Sequence, residues 1–121
     1  MRLGDIINRL EELPADFPIL YDFEHAVPLA FISWRGSYDE LSLEPCDAPH
    51  PQTVGTLLEL AKQADGETFT GYKGGDYAMD RDTPVWADPY GDSEGRYIIE
   101  IDRGHGECTI RTAVRPSEYR W

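Results

Sequence analysis

The sequence predicts an α+β fold, with two amphipathic helices packed on a mainly antiparallel β-sheet of about five strands. Three observations lead there. Leu3, Ile6, Ile7, Leu10 and Leu13 repeat at the spacing of one helical face. A second such face, through Val54, Leu57, Leu58 and Ala61, follows a proline-rich connection. The rest of the chain is rich in short β-forming runs separated by turn residues, above all in its second half.

The first helix spans residues 3–13. Asp5, Asn8, Arg9, Glu11 and Glu12 fall on its wet side, and Pro14 ends it by removing a backbone donor. Residues 18–23 read as a strand, with Pro18 tolerable at its first position. Residues 30–34 form a second apolar stretch, and residues 38–43 alternate clearly only through Leu41 and Leu43. Pro45, Pro49 and Pro51 mark residues 44–51 as an irregular connection. Thr53 then caps the second helix, and Asp65-Gly66 closes it.

Beyond it, residues 68–72 are extended, and residues 83–87 form a short strand. Residues 96–102 make the best strand of the chain. Arg103-Gly104-His105-Gly106 is a tight connection to a partner strand over residues 107–112. Residues 1–115 are expected to fold as a single domain, and 116–121 to trail as a tail.

An internal echo accompanies these elements. Arg2-Leu3-Gly4-Asp5-Ile6-Ile7 and Thr53-Val54-Gly55-Thr56-Leu57-Leu58 share the pattern x-apolar-Gly-x-apolar-apolar, 51 residues apart. A glycine so early in a helix permits close approach of the first turn to another backbone. Two helices lying alike on one sheet would explain the echo, and so would a duplication.

Charge sets the bounds on function. The 121 residues carry 23 acidic and 11 basic side chains, a formal net charge of −12. Residues 1–102 hold 21 acids and 7 bases, or −14, and residues 103–121 hold 2 acids and 4 bases, or +2. Such a body repels nucleic-acid phosphates, so direct nucleic-acid binding is not expected, whereas basic protein surfaces are attracted. No apolar run reaches the ~20 residues that cross a bilayer, so no membrane partner is expected.

Catalytic signals are weak throughout. Cys46 and Cys108 form no CxxC pair, and free thiols are expected. His25, His50 and His105 stand in turn-like contexts and read as solvated loop residues. No serine has a nucleophile-elbow context. The acids from Asp76 to Glu94 lack the order of a calcium loop. The chain is therefore expected to be no enzyme and to need no cofactor or metal.

Two stretches remain as candidate surfaces. Tyr72, Lys73, Gly74, Gly75, Asp76 and Tyr77 combine glycines, aromatics and a lone lysine, a turn whose amides could receive an anionic ligand such as a nucleotide. Asp80, Asp82, Asp88, Tyr90, Asp92 and Glu94 form an acidic stretch suited to a protein partner. Trp34 and Trp86 are expected in the core.

The run Thr68-Phe69-Thr70-Gly71-Tyr72-Lys73-Gly74-Gly75-Asp76-Tyr77, with Asp82-Thr83-Pro84-Val85-Trp86 after it, resembles a family of small uncharacterised proteins of tailed bacteriophages and prophages. Tyr21-Asp22-Phe23, Ser33-Trp34-Arg35-Gly36-Ser37-Tyr38 and Thr53-Val54-Gly55 belong to the same likeness, which weakens in the basic tail. It implies a phage accessory protein in the bacterial cytoplasm and assigns no functional residue. The leading expectation is a protein that binds and inhibits a host protein, one that handles nucleic acid or takes part in anti-phage defence. A nucleotide-sequestering protein and a virion component are the alternatives, and a homodimer is compatible with all three.

Overall fold

The computed structural model describes residues 1–23, 26–33, 40–46, 52–70, 76–87 and 96–113. Helices α1 (Leu3–Glu11) and α2 (Val54–Ala64) accompany eight strands. These are β1 (Ile19–Tyr21), β2 (Val27–Ser33), β3 (Leu41–Cys46), β4 (Thr68–Thr70), β5 (Asp76–Ala78), β6 (Val85–Ala87), β7 (Arg96–Arg103) and β8 (Cys108–Ala113). Six strands form one mixed sheet in the order β1-β8-β7-β6-β3-β2, and β4 pairs with β5 in a small second sheet. The large sheet is nearly barrel-shaped, so its terminal strands approach each other: Tyr21 N–H donates to Ala26 O at 2.8 Å. The buried Tyr21 hydroxyl then reaches inward to Leu43 O on β3 at 2.6 Å.

One contiguous core fills this structure. Leu3, Ile6, Ile7 and Leu10 from α1 meet Val54, Leu57, Ala61 and Ala64 from α2, together with Ile19, Leu41, Leu43, Val85, Ile98, Ile101 and Ile110 from the sheet. Burying a side chain of this kind stabilises a fold by about 1.5–3 kcal/mol. Both helical faces are thus the ones their spacing marked out. Thr53 caps α2 as expected, its Oγ1 accepting from Thr56 N–H at 3.2 Å, and Gly66 leaves the helix at φ +85°.

Several sequence expectations change. The first helix stops at Glu11, not Leu13, because Glu12 and Leu13 tighten onto Arg9 O and Leu10 O. The second strand begins at Val27, not Ala30. Glu44, Pro45 and Cys46 are not an irregular connection; they continue β3, with Pro45 opposite Pro28. A proline fits there because the β3–β6 ladder already ends at Leu43, so no neighbour asks Pro45 for a donor. The antiparallel pattern holds for β2/β3, β6/β7 and β7/β8, whereas β1/β8 and β3/β6 are parallel. Trp86 is buried as expected. Trp34 and the tail lie outside the described residues.

The parallel pairs expose a deeper order. β1-β2-β3-α2 and β6-β7-β8-α1 are two units of the same topology, each pairing its first strand with the third strand of the other. Register agrees residue for residue. Ile19 pairs with Cys108 as Val85 pairs with Leu41. Phe31 pairs with Leu43 as Ile101 pairs with Ile110, and the same bulge interrupts both ladders, between Pro28 and Ala30 and between Ile98 and Glu100.

The hydrogen bonds that join helix to strand correspond as well. Leu3 N–H donates to Thr83 O and Val54 N–H to Phe17 O, both at 2.9 Å. Gly4 N–H donates to Arg81 O at 2.8 Å and Gly55 N–H to Ala15 O at 2.9 Å. Val85 N–H reaches Met1 O, and Ile19 N–H reaches Gln52 O. The Met1 α-amine donates to Ile98 O at 2.7 Å, and the Gln52 side-chain amide donates to the equivalent Pro28 O at 2.9 Å. The sequence echo between the two helix starts is therefore one trace of a whole repeated unit, and duplication is the explanation that the strand register supports. Helix α1 belongs to the second unit although it comes first in the chain.

Both helix starts approach backbone so closely that a side chain there would be crowded. A Cβ on Gly4 would lie 3.0 Å from Arg81 O and 3.0 Å from Arg81 Cβ, and one on Gly55 would lie 3.2 Å from Ala15 O. Gly4→Ala is expected to destabilise the fold by about 1–3 kcal/mol despite the better helix propensity of alanine. Gly55→Ala should cost less, and urea unfolding of both variants checks the ranking. The repeat also predicts that the chain tolerates reconnection. Residues 47–51 join Cys46 to Gln52, and Ala113 and Met1 stand in the equivalent places, so the eight residues 114–121 have length to spare to join Ala113 to Met1. A permutant with Trp121 fused to Met1 and the chain opened between Leu13 and Pro14 should fold cooperatively to the same far-ultraviolet and NMR signature.

Candidate functional site

Between α2 and β6 the second unit is preceded by a segment with no described counterpart before the first, the turn at Asp65–Glu67 and the β4–β5 pair, which leads into the turn at Asp80–Thr83, the equivalent of the turn at Pro14–Phe17. Met79 anchors it. Its side chain is buried, Gly66 N–H donates to Met79 O at 2.7 Å, and Met79 N–H donates to Glu67 O at 2.9 Å. These bonds lay the end of α2 beside the strand β5. Asp65, Glu67, Asp76, Asp80 and Asp82 are all exposed along this edge. The one base among residues 65–70 and 76–82, Arg81, turns away to α1, where its guanidinium donates to Asn8 Oδ1 at 2.7 Å and Gly4 O at 3.3 Å. The edge is thus a run of exposed carboxylates on hydrogen-bonded backbone.

The acids of this run differ in what they do. Asp80 Oδ1 accepts from Asp82 N–H at 2.8 Å, and Asp80 N–H donates to Thr83 Oγ1 at 2.9 Å. Asp80 therefore shapes the turn that presents Arg81 O and Thr83 O to the first turn of α1. Asp82 contributes its backbone carbonyl to Arg2 Nη1 at 3.1 Å and keeps its side chain in solvent. Asp65 and Glu67 likewise point to solvent. The sequence places Asp65 with Gly66 at the close of the second helix and gives Glu67 no role; the bonds of Gly66 and Glu67 to Met79 bring both acids beside Asp80.

Of the ligand-turn residues, Asp76 and Tyr77 are described. They are neighbours on β5 and so face opposite sides of the small sheet: Asp76 is exposed, and Tyr77 is half-buried against the core. Tyr72, Lys73, Gly74 and Gly75 lie outside the described residues, as do Asp88, Tyr90, Asp92 and Glu94. Among the described residues no three His, Cys, Asp or Glu side chains gather as a metal site. No described helix is long and apolar enough to cross a membrane.

Other acids are committed to holding the fold. Asp22 receives Thr112 N–H at 2.8 Å and Thr112 Oγ1 at 2.7 Å. Asp102 pairs with Arg111 at 2.6 Å, and Glu40 accepts from Trp86 Nε1 at 2.8 Å. Neither cysteine forms a disulfide. Cys108 is wholly buried, and burial pushes its thiol above the ordinary range, with Arg9 and Arg103 opposing in part. That direction disfavours the thiolate a nucleophile needs.

Family models, curated proteins and solved structures contain no match to this chain.

The division of labour among the acids is testable by stability. Asp80→Ala should lose about 1 kcal/mol through its turn, whereas Asp65→Asn and Glu67→Gln should stay within about 0.5 kcal/mol of the parent in urea unfolding. Cys108 yields a pH effect. Its thiol ionises in the unfolded chain at the ordinary pKa of about 8.5 but remains neutral longer in the fold, so the folded state holds more protons above that pH. Stability should fall as pH rises through the ordinary thiol range, and Cys108→Ala should flatten that fall. In the native protein a thiol reagent should label the half-buried Cys46 first and Cys108 only on unfolding.

Proposed function

We propose that this protein is a non-catalytic binding protein that sets its acidic edge against a basic protein surface and thereby inhibits the partner. The observation that carries the reading is that the bonds of Gly66 and Glu67 to Met79 set the exposed Asp65 and Glu67 along the edge that also bears the exposed Asp76, Asp80 and Asp82, from which Arg81 is turned away. Carboxylates held on hydrogen-bonded backbone lose little freedom on binding, and a chain of net charge −12 steers toward positive surfaces over a range that salt shortens.

The likeness of the 68–86 stretch to small phage and prophage proteins supplies a setting for this reading. In that setting the protein acts in a bacterial cytoplasm, and its partner is a host factor whose basic surface serves nucleic acid. Asp88, Asp92 and Glu94 follow β6 in the chain and extend the same acidic sequence.

Capture from bacterial lysate at two salt concentrations tests the proposal. A partner retained at about 0.05 M salt should be released at about 0.5 M. Replacing Asp65, Glu67 and Asp82 together by lysine should weaken the purified pair at least about tenfold, and Glu107→Gln, on the distant β7–β8 turn, should leave it unchanged. Binding that ignores both salt and the triple replacement would refute an acidic docking edge.

A further inference from the structure

The two units diverge in the connection from their second to their third strand. In both, the first amide of the third strand holds the carbonyl of a proline: Leu41 N–H donates to Pro84 O at 2.9 Å, and Cys108 N–H to Pro18 O at 2.8 Å. The connection has seven residues, 34–40, in the first unit and four, 104–107, in the second. Gly104 N–H closes the shorter one onto Glu107 O at 2.7 Å. Beside it lies an open hollow of about 520 Å³, lined by Phe17, Arg103, Gly104, His105 and Gly106.

The charge of this hollow runs against that of the protein. Arg9, Lys62 and Arg111 are neutralised by Glu12 and Glu100, by Glu11 and by Asp102. Arg103 has no carboxylate within ion-pair distance among the described residues; its guanidinium lies over the Phe17 ring, 5.5 Å from the centroid. His105 stands exposed on the same rim. A guanidinium that no carboxylate engages has its fork of donors available to phosphate or carboxylate oxygens. Phe17 lines the hollow with an aromatic side chain that suits a flat ring, and glycines at 104 and 106 keep the wall free of side chains. The volume is within the range of small-ligand sites.

We propose that this hollow binds an aromatic anion, a flat ring bearing a phosphate or carboxylate, with Arg103 and His105 meeting the charge and Phe17 the ring. The site is separate from the acidic edge and independent of the function proposed for it.

NMR titration of the full chain with adenosine monophosphate, phenyl phosphate, benzoate and inorganic phosphate decides the matter. The ring-bearing anions are expected to shift the amides of Phe17 and residues 103–107, with inorganic phosphate at least tenfold weaker. Arg103→Gln should weaken the ring-bearing probes at least tenfold, Arg103→Lys less, and Phe17→Leu should weaken them while sparing inorganic phosphate. Unchanged amide shifts elsewhere show that each variant is folded. Absence of shifts at those amides with all four probes, or shifts that survive Arg103→Gln, would overturn the proposal.

Discussion

The whole architecture depends on one contact made twice: the first turn of a helix hydrogen-bonded edge-on to the lead-in of a strand. A helix start has four amide donors without partners in the helix. Here Leu3 and Gly4, and again Val54 and Gly55, spend theirs on carbonyls of the turns at 81–83 and 15–17. The contact favours a residue with no side chain at its centre, since a Cβ on Gly4 or Gly55 would crowd backbone oxygen at 3.0 or 3.2 Å. Once formed, it sets the height and direction of the helix over the sheet, so that the apolar faces of α1 and α2 meet each other and the inward residues of six strands.

That contact lies within each unit, and parallel strand pairing ties the two units together. Each unit's first strand lies parallel to the third strand of the other, and Pro18 and Pro84 provide the carbonyls that start those parallel pairings. Neither unit completes a sheet alone. What breaks the equivalence is the set of connections: a four-residue turn in the second unit beside the hollow at Arg103, and a segment inserted before the turn at 80–83 that carries Asp65, Glu67 and Asp76 of the acidic edge. Both candidate surfaces therefore sit where the repeat is interrupted, as expected when a rigid scaffold is conserved within a chain and its connections are free to specialise.

Charge is distributed along the same division. Asp22, Glu40, Asp80 and Asp102 satisfy donors that hold turns and strands in place. Asp65, Glu67 and Asp82 leave their side chains in solvent. A high acid count in the sequence thus mixes two populations, and only the second is free to meet a partner.

Periodicity was enough to locate the two helices, their buried faces, the Thr53 cap, and the strands around Ile19, Leu41, Val85, Ile98 and Ile110, because those features arise from residues near one another in the chain. It also exposed the paired glycines, whose shared pattern hinted at a repeat. Strand order, the parallel pairs and the continuation of β3 through Pro45 required the fold, since they depend on which strands lie side by side. So did the meeting of Asp65 and Glu67 with Asp80, and of Phe17 with Arg103, residues far apart in the chain whose neighbourhood is made only by long-range hydrogen bonds. Short-range patterning chose the pieces of this protein, and the closing of two units on each other decided which side chains share a surface.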